Sequence, residues 1–345
     1  MPINADIPED FIYNMSPDLL DTLLKDHTMS TEDTQRNIFW ATQDYEPLGE
    51  GYEYRSPILP HLITGRNGRV IMPRVLKTRD AQSARSREMA EVFTPSWICN
   101  AQNNLIDDAW FGRTEVFNIE HTDDAGRHFW TATTEKITFP EGKTWKDYVR
   151  DNRLEITCGE APYLVSRYDS TTGETIPIEE RIGMLDRKLR VVGENTETTG
   201  EWLEWAQVAY KSVYGYEWQG DSLLIARESM LISFIEYFEA KFGKRPILKS
   251  IRYIAYIISW NVWQMDGLKG VVPDTCTDKV LVEHDFFGGC TESVIPCEGC
   301  TKDDIRRHNG TYCLIRDLGF PAIIPLSYNT GSPHSSNTIS SCLPK

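Results

Sequence analysis

Three turns in the middle of the chain carry residues that could bind a nucleoside. Residues 154–163 read Leu-Glu-Ile-Thr-Cys-Gly-Glu-Ala-Pro-Tyr, which is typical of the turn after a buried strand, and Gly159 gives the backbone freedom there. Two further short strand patterns end in Glu217 and in Asp266. Parallel sheets bind nucleoside cofactors outside the carboxyl ends of their strands. We therefore expect Glu217 to accept hydrogen bonds from ribose hydroxyls and Asp266 to accept one from an adenine amino group.

The same segments resemble, in order, the sequence motifs of a known enzyme class. Residues 154–163 resemble motif I of the gamma-class DNA amino-methyltransferases, residues 215–217 (Gly-Tyr-Glu) their motif II and residues 264–268 (Gln-Met-Asp-Gly-Leu) their motif III. Upstream, residues 91–95 (Glu-Val-Phe-Thr-Pro) resemble motif X, which precedes motif I in this class. More narrowly, residues 90–97 and the whole span to Pro273 are similar to the M subunits of bacterial restriction enzymes, and the resemblance covers most of the chain up to about residue 317.

This resemblance implies a Rossmann-like fold that binds S-adenosylmethionine and methylates the adenine amino group of DNA. The residues that it assigns to the cofactor are Phe93, Thr94, Pro95, Glu155, Thr157, Cys158, Gly159, Tyr163, Glu217 and Asp266. The adenine amine would attack the methyl group directly, in a polar pocket that orients it, without a covalent nucleophile. We accordingly expect Cys158 to be a small buried residue. DNA and a restriction or specificity subunit are the implied partners.

One motif of this class is missing. Its members hold the amine of a flipped base with an Asn/Asp-Pro-Pro-Tyr/Phe segment, motif IV, and no Pro-Pro pair occurs in the sequence. Residues 160–163 (Glu-Ala-Pro-Tyr) have a passing likeness but belong to motif I. Methyl transfer would then need a partner chain or an atypical pocket, unless the gene product is truncated. The alternative is a catalytically inactive methyltransferase-like protein that binds DNA or a partner, and methylation of RNA or protein also stays open.

The C-terminal part of the sequence is rich in cysteine. Cys297 and Cys300 form a Cys-x-x-Cys knuckle of the type that binds zinc. The candidates for the remaining ligands are Cys276, Cys290, Cys313, His284 and His308. In a reducing compartment such a cluster favours a metal over disulfides, and scattered reduced thiols are the alternative. We expect the zinc to be structural, closing a small unit that has little apolar core of its own.

A basic segment, residues 66–87, stands out in a chain of formal net charge −15. The net charge excludes a protein that coats nucleic acid through its overall field. The segment itself is either a solvated face or a phosphate-binding surface. Its candidate residues for nucleic-acid contact are Arg74, Lys77, Arg79, Arg85 and Arg87.

These patterns predict an α/β protein in four parts. Residues 89–270 alternate short apolar strands with amphipathic helices, which indicates a parallel sheet. The other parts are an N-terminal extension (1–88), a small Cys-rich zinc unit (271–318) and a poorly ordered tail (319–345). Helices are predicted over residues 178–192, 202–213, 222–242 and 251–260.

The sequence gives no sign of a membrane segment or an export signal. The longest apolar run, residues 253–263, is too short to span a bilayer. The first ten residues are acidic and lack a signal-peptide pattern. We therefore expect a cytoplasmic protein with no membrane partner.

Overall fold

The computed structural model describes residues 5–78, 82, 85, 94–284, 290–316 and 323–325. For residues 282–284, 290–291 and 323–325 it describes the backbone alone. The predicted site residues Phe93, Arg79 and Arg87 lie outside these ranges, as does most of the predicted tail 319–345.

The N-terminal part consists of short elements that share the main hydrophobic core. It comprises α1 (Glu9–Met15), α2 (Pro17–Leu24), the antiparallel pair β1 (Lys25–Asp26) and β2 (Arg36–Asn37), and α3 (Pro60–Ile63), with 3-10 helices at Glu46–Leu48, Gly65–Asn67 and Arg74–Leu76. Leu20 and Leu24 of α2 are fully buried in the cluster that also holds Leu223 and Ile258. The core therefore does not divide at the predicted boundary, residue 88.

The central part holds the longer helices. Its elements are α4 (Ser96–Phe111), β3 (Asn118–Thr122), β4 (His128–Ala132), α5 (Trp145–Arg150), β5 (Arg153–Glu155), α6 (Met184–Asn195), α7 (Thr199–Lys211), β6 (Val213–Glu217), α8 (Gly220–Phe242), α9 (Leu248–Asn261) and β7 (Val262–Gln264). Three of the predicted helices correspond to α7, α8 and α9. The antiparallel hairpin of β3 and β4 was not predicted.

The fourth predicted helix, 178–192, is wrong in its first turns. The chain forms a short 3-10 helix at Ile178–Glu180, and α6 begins only at Met184. Gly183 caps α6 by donating its N–H to the Asp186 carboxylate (3.2 Å). A Cβ at Gly183 would lie 2.3 Å from the Leu164 carbonyl oxygen. This close approach of two backbones interrupts the helix and requires glycine there.

The three strands β5, β6 and β7 form a parallel sheet in that order. Because side chains alternate across a strand, Val213 and Val262 face the helices, whereas Tyr214 and Trp263 face the opposite side and stack with ring centroids 5.8 Å apart. The sequence prediction of an α/β protein with a parallel sheet is confirmed.

Helix α8 lies against the sheet and is buried along most of its length. It ends at Gly243, which has the left-handed conformation (φ 65°) that glycine adopts most readily. Arg227 of α8 is buried and donates to the Val262 carbonyl oxygen (2.6 Å), which ties the helix to β7. Within the described part of the chain, no helix is both long and apolar enough to cross a membrane.

The C-terminal part covers the face of the sheet opposite the helices. It contains the antiparallel pairs β8 (Lys279–His284) with β9 (Cys290–Ile295) and β10 (Leu314–Arg316) with β11 (Ile323–Pro325), and the short helix α10 (Glu298–Lys302). Val272 and Cys313 are buried against Tyr216 and Trp263. The Cys-rich part is therefore packed directly on the sheet.

Candidate functional site

The turn after β5 is held against the end of β6. The Cys158 N–H donates to the Tyr216 carbonyl oxygen (2.8 Å). Three residues of the turn have positive φ, namely Thr157 (46°), Gly159 (52°) and Ala161 (62°). Only Gly159 adopts this conformation without a steric cost from Cβ. The predicted sharp turn at Gly159 is confirmed.

Glu217 stands at the end of β6, beside this turn. One carboxylate oxygen accepts the Gly159 N–H (2.8 Å), and the other accepts the Gln219 N–H (3.1 Å). Burial raises the pKa of Glu217, and the amides of Gln219 and Gly159 oppose that rise because they stabilise the carboxylate. Each carboxylate oxygen has a second acceptor position. The backbone therefore orients Glu217 without exhausting its capacity to accept hydrogen bonds.

Asp266 follows β7 at the same edge of the sheet. The Met265 N–H donates to the Glu217 carbonyl oxygen (2.9 Å), which brings the ends of β6 and β7 together. The Asp266 carboxylate accepts the Leu268 N–H (3.1 Å) and pairs with the Lys269 ammonium group (3.2 Å). The structure thus gathers the Gly159 turn, Glu217 and Asp266 at the carboxyl edge of one parallel sheet.

Glu155 has a different surrounding from the one that the resemblance implies. Its carboxyl oxygens accept the N–H groups of Tyr163 (3.3 Å) and Leu164 (3.0 Å). Burial raises the pKa of Glu155 well above its usual value, although these amides oppose the rise. Glu155 is therefore buried inside the turn, and its carboxyl group orders the backbone at Tyr163 and Leu164.

The segment that precedes α4 lies against the residues that follow the turn. The Ser170 hydroxyl donates to the Thr94 carbonyl oxygen (2.9 Å), and the Ser96 N–H donates to the Asp169 carboxylate (2.8 Å). Pro95 is the residue before the first turn of α4. Thr94 and Pro95 are thus adjacent to the segment after Tyr163.

Cys158 is buried and has no base for activation among its described contacts. Its sulfur lies against Gly215, where an added Cβ would be 3.2 Å from the sulfur. Burial, followed by the nearby carboxyl groups of Glu155 and Glu217, raises the pKa of Cys158 well above the usual value. Since a nucleophilic cysteine needs a low pKa, Cys158 acts as a packing residue.

The basic segment 66–87 is attached to the fold by buried ion pairs. Arg85 is 2% exposed and pairs with Asp221 (3.0 Å) and with Asp44 (2.6 Å). Lys77 also pairs with Asp221 (3.1 Å). The hypothesis that Arg85 and Lys77 contact DNA phosphate is therefore wrong in this structure, because their charges are already neutralised in the interior.

Arg74 is likewise engaged with the chain. Its backbone N–H donates to the Glu160 carboxylate (2.7 Å), and its guanidinium donates to the Gln82 carbonyl oxygen (3.2 Å). The bond to Glu160 connects the segment to the turn after β5, whereas the bond to Gln82 lies within the segment. Sequence composition alone could not reveal this, because the acidic partners come from distant parts of the chain.

A second site in the C-terminal part consists of three cysteines and one histidine. The ligand atoms of Cys276, Cys297, Cys300 and His308 all lie within 4.8 Å of one another. The Cys276 sulfur is 3.5 Å from that of Cys297 and 3.7 Å from that of Cys300. The His308 Nδ1 atom is 3.5 Å from Cys276, 3.7 Å from Cys297 and 3.5 Å from Cys300.

These distances fit the edges of a small tetrahedron. A tetrahedral zinc ion with Zn–S bonds of about 2.3 Å and a Zn–N bond of about 2.05 Å would separate two sulfurs by about 3.8 Å and a sulfur from the nitrogen by about 3.5 Å. Burial opposes ionisation of Cys297, but the N–H groups of Cys300 and Asn309 lower its pKa to about 6. The cluster could therefore hold a metal ion, and its geometry is compatible with structural zinc.

The other candidate ligands have different positions. Cys313 is buried, and its sulfur lies 3.6 Å from the Gln264 carbonyl oxygen, so the expectation that it could be a ligand is wrong. The side chains of Cys290 and His284 lie outside the described ones. The sequence analysis also missed Lys269, whose only signal is its position three residues after Asp266.

Comparison with known proteins adds no relative to this picture. No protein-family model, no curated protein and no solved structure matches the chain.

Proposed function

We propose that this chain binds S-adenosylmethionine and belongs to a DNA adenine amino-methyltransferase, as the enzyme or as the M subunit of a restriction–modification system. The observation that carries the proposal is the convergence of the Gly159 turn, Glu217 and Asp266 on one sheet edge. Nucleoside cofactors bind at this edge in Rossmann-like folds. The resemblance of these residues to motifs I, II and III supplies the identity of the cofactor.

Each residue at the edge has a role in this proposal. Glu217, oriented by the Gly159 and Gln219 amides, accepts hydrogen bonds from the ribose hydroxyls. Asp266 accepts a hydrogen bond from the adenine amino group, and the open backbone at Gly159 admits the methionine portion.

The chemical step is a single displacement. The adenine amine nitrogen attacks the methyl carbon, the carbon–sulfur bond breaks, and the amine loses one proton. Holding the amine in line with that bond is the main contribution expected of the protein. Because the sequence has no Pro-Pro pair, we propose that a partner chain or an atypical pocket completes the base-binding site.

The metal in this proposal is a structural zinc ion. Cys276, Cys297, Cys300 and His308 would fill four tetrahedral positions, which leaves none for substrate or water. Zinc in such a closed site contributes to folding rather than to catalysis.

A second candidate function is cofactor binding without methyl transfer, in a protein that binds DNA or a partner. The absence of a Pro-Pro pair favours it. Arg85 and Lys77 do not serve as its DNA contacts, because both are paired with buried Asp221.

Calorimetric titration of zinc-loaded protein with S-adenosylmethionine tests the cofactor site. We expect Asp266→Asn to weaken binding at least tenfold, since asparagine keeps the acceptor for the Leu268 N–H but loses the carboxylate charge. Glu204→Gln, on the exposed face of α7, is the matched control and should bind like the wild type. A well-folded wild type that shows no binding contradicts the proposal.

Methyl transfer is then measured separately, with tritiated cofactor, DNA and each candidate partner chain. Label in the adenine amino group that depends on Asp266 supports the enzyme. Cofactor binding with no transfer under any partner supports the second candidate.

A further inference from the structure

The turn that carries Asp266 is closed by the C-terminal part of the chain as well as by the sheet. The Asp266 N–H donates to the Val271 carbonyl oxygen (2.8 Å), and the Gly270 N–H donates to the Asp266 carbonyl oxygen (2.7 Å). On the far side, the Cys313 N–H donates to the Gly270 carbonyl oxygen (3.0 Å). The returning arm of the turn is thus paired with a segment that is more than forty residues distant in sequence.

That segment leads directly to the metal ligands. The Val272 N–H donates to the Thr311 carbonyl oxygen (2.8 Å), and the Thr311 N–H donates to the Thr275 hydroxyl (3.0 Å). The Tyr312 hydroxyl accepts the His308 N–H (2.7 Å). Residues 270–276 and 308–313 therefore run side by side from the Asp266 turn to the ligand pair Cys276 and His308.

A charged side chain also closes the Asp266 turn. The Lys269 ammonium group pairs with the Asp266 carboxylate (3.2 Å). Partial burial lowers the pKa of Lys269, but Asp266 and then the thiols of Cys300 and Cys276 raise it above the usual value. Lys269 is therefore held to the Asp266 carboxylate within the turn.

The packing between these segments is tight and leaves little room for adjustment. A Cβ at Gly310 would lie 2.9 Å from the Cys276 nitrogen. A Cβ at Gly267, in the turn itself, would lie 2.0 Å from the Tyr216 ring. The ligand end is thus packed against the chain at Gly310, and the turn is packed against the sheet at Gly267.

We propose that metal binding by Cys276, Cys297, Cys300 and His308 fixes the conformation of the Asp266 turn, so that metal occupancy and nucleoside affinity are thermodynamically linked. The choice of S-adenosylmethionine as the nucleoside rests on the proposed function, whereas the effect of the metal on the conformation of the turn does not. Without a metal, no coordination bond joins residues 276 and 308. With a metal, that bond closes the paired segments and orders the turn. By linkage, the nucleoside must then raise metal affinity by the same factor.

Amide hydrogen exchange tests the conformational part. The protein is compared as the zinc form and after chelation, with metal content measured in each. We expect exchange to accelerate at least tenfold in residues 266–272 and 311–313 after zinc loss. Residues 213–217, inside the sheet, are the internal reference and should change little. Unaltered exchange in residues 266–272, or a protein that takes up no zinc, overturns the inference.

Two variants separate loss of the metal from general damage. Cys300→Ser changes an exposed ligand and leaves no cavity, so it should reproduce the exchange pattern of the chelated protein. Lys302→Ala, two residues away, removes only an exposed ion pair with Glu298 and should behave like the wild type. Equal exchange in the two variants overturns the inference.

Titration with S-adenosylmethionine tests the linkage. We expect about tenfold weaker binding after zinc loss and in Cys300→Ser, within the usual range of coupling between two sites, and no change in Lys302→Ala. Equal affinity with and without zinc overturns the linkage. If the zinc form binds no S-adenosylmethionine at all, the proposed function fails, and the exchange experiment still decides whether the metal orders the turn.

Discussion

The buried carboxylate of Asp221 allows a test of whether Arg85 and Lys77 of the basic segment stabilise the fold through ion pairs. Its side chain is fully buried and pairs with the side chains of Arg85, which is 1% exposed, and of Lys77, which is 12% exposed. Tyr45 donates a further hydrogen bond (2.8 Å). Replacing Asp221 with asparagine removes the negative charge that pairs with both Arg85 and Lys77 in the interior.

The expected cost of Asp221→Asn follows from this geometry. Removing one partner of a buried ion pair costs about 3–5 kcal/mol. Arg85 would retain Asp44, whose side chain is 35% exposed, so we expect a loss near the lower end, about 3 kcal/mol. The matched control is Asp44→Asn, for which solvent screening limits the expected loss to about 1 kcal/mol or less.

The effect has a defined pH dependence. Burial opposes ionisation of Asp221, but Arg85 and Lys77 outweigh it and lower its pKa far below the usual value. An acid with a depressed folded-state pKa stabilises the fold above its unfolded-state pKa, about 3.9, and loses that contribution as the pH falls further. The difference between wild type and Asp221→Asn should therefore be constant from pH 5 to 8 and shrink in stronger acid.

Urea unfolding followed by tryptophan fluorescence measures the free energy of unfolding and its pH dependence, provided that the dependence of this free energy on urea concentration is the same in wild type and variant. A loss below about 1 kcal/mol for Asp221→Asn would refute the assignment of a structural ion-pair network. Weakened DNA binding on neutralising Arg85 or Lys77, in a variant of normal stability, would instead restore the phosphate-contact hypothesis.

Two further predictions concern packing and pH. Gly267→Ala places a Cβ 2.0 Å from the Tyr216 ring and should cost about 1–3 kcal/mol in thermal unfolding, whereas Gly193→Ala, with no atom within 4 Å of the new Cβ, should be neutral or slightly stabilising. Burial raises the pKa of Glu9 to about 9, although a backbone hydrogen bond opposes the rise. The folded protein then holds a proton that the unfolded chain releases near pH 4.3, so the free energy of unfolding should fall as the pH rises from 5 to 9. Glu9→Gln should reduce this pH dependence, measured by urea unfolding. An unchanged pH dependence contradicts the burial of this carboxyl group.

Local sequence signals located much of the helix and strand pattern. The apolar periodicity of α7, α8 and α9 appears within each segment, and Gly243 marks the end of α8. The acids at the ends of β6 and β7 follow directly from the strand patterns. In contrast, the predicted helix 178–192 starts too early, because the backbone contact between Gly183 and Leu164 is not local in sequence.

For the candidate sites, the sequence by itself determined the residue types and their order along the chain. It identified the Gly159 turn, Glu217, Asp266 and the Cys297–Cys300 knuckle, because each is a pattern of a few neighbouring residues. Only the tertiary structure decided which of them meet, since parallel strand pairing brings together residues 60 positions apart in one pair of strands and 47 in the other.

The tertiary structure also decided which residues can be metal ligands and which charged side chains form buried pairs. It selected Cys276 and His308 rather than Cys313 to accompany the knuckle. It placed Arg85, a candidate DNA contact by sequence, in the interior beside Asp221. A side chain's burial and its partner depend on the packing of distant segments, and sequence composition does not encode that packing locally.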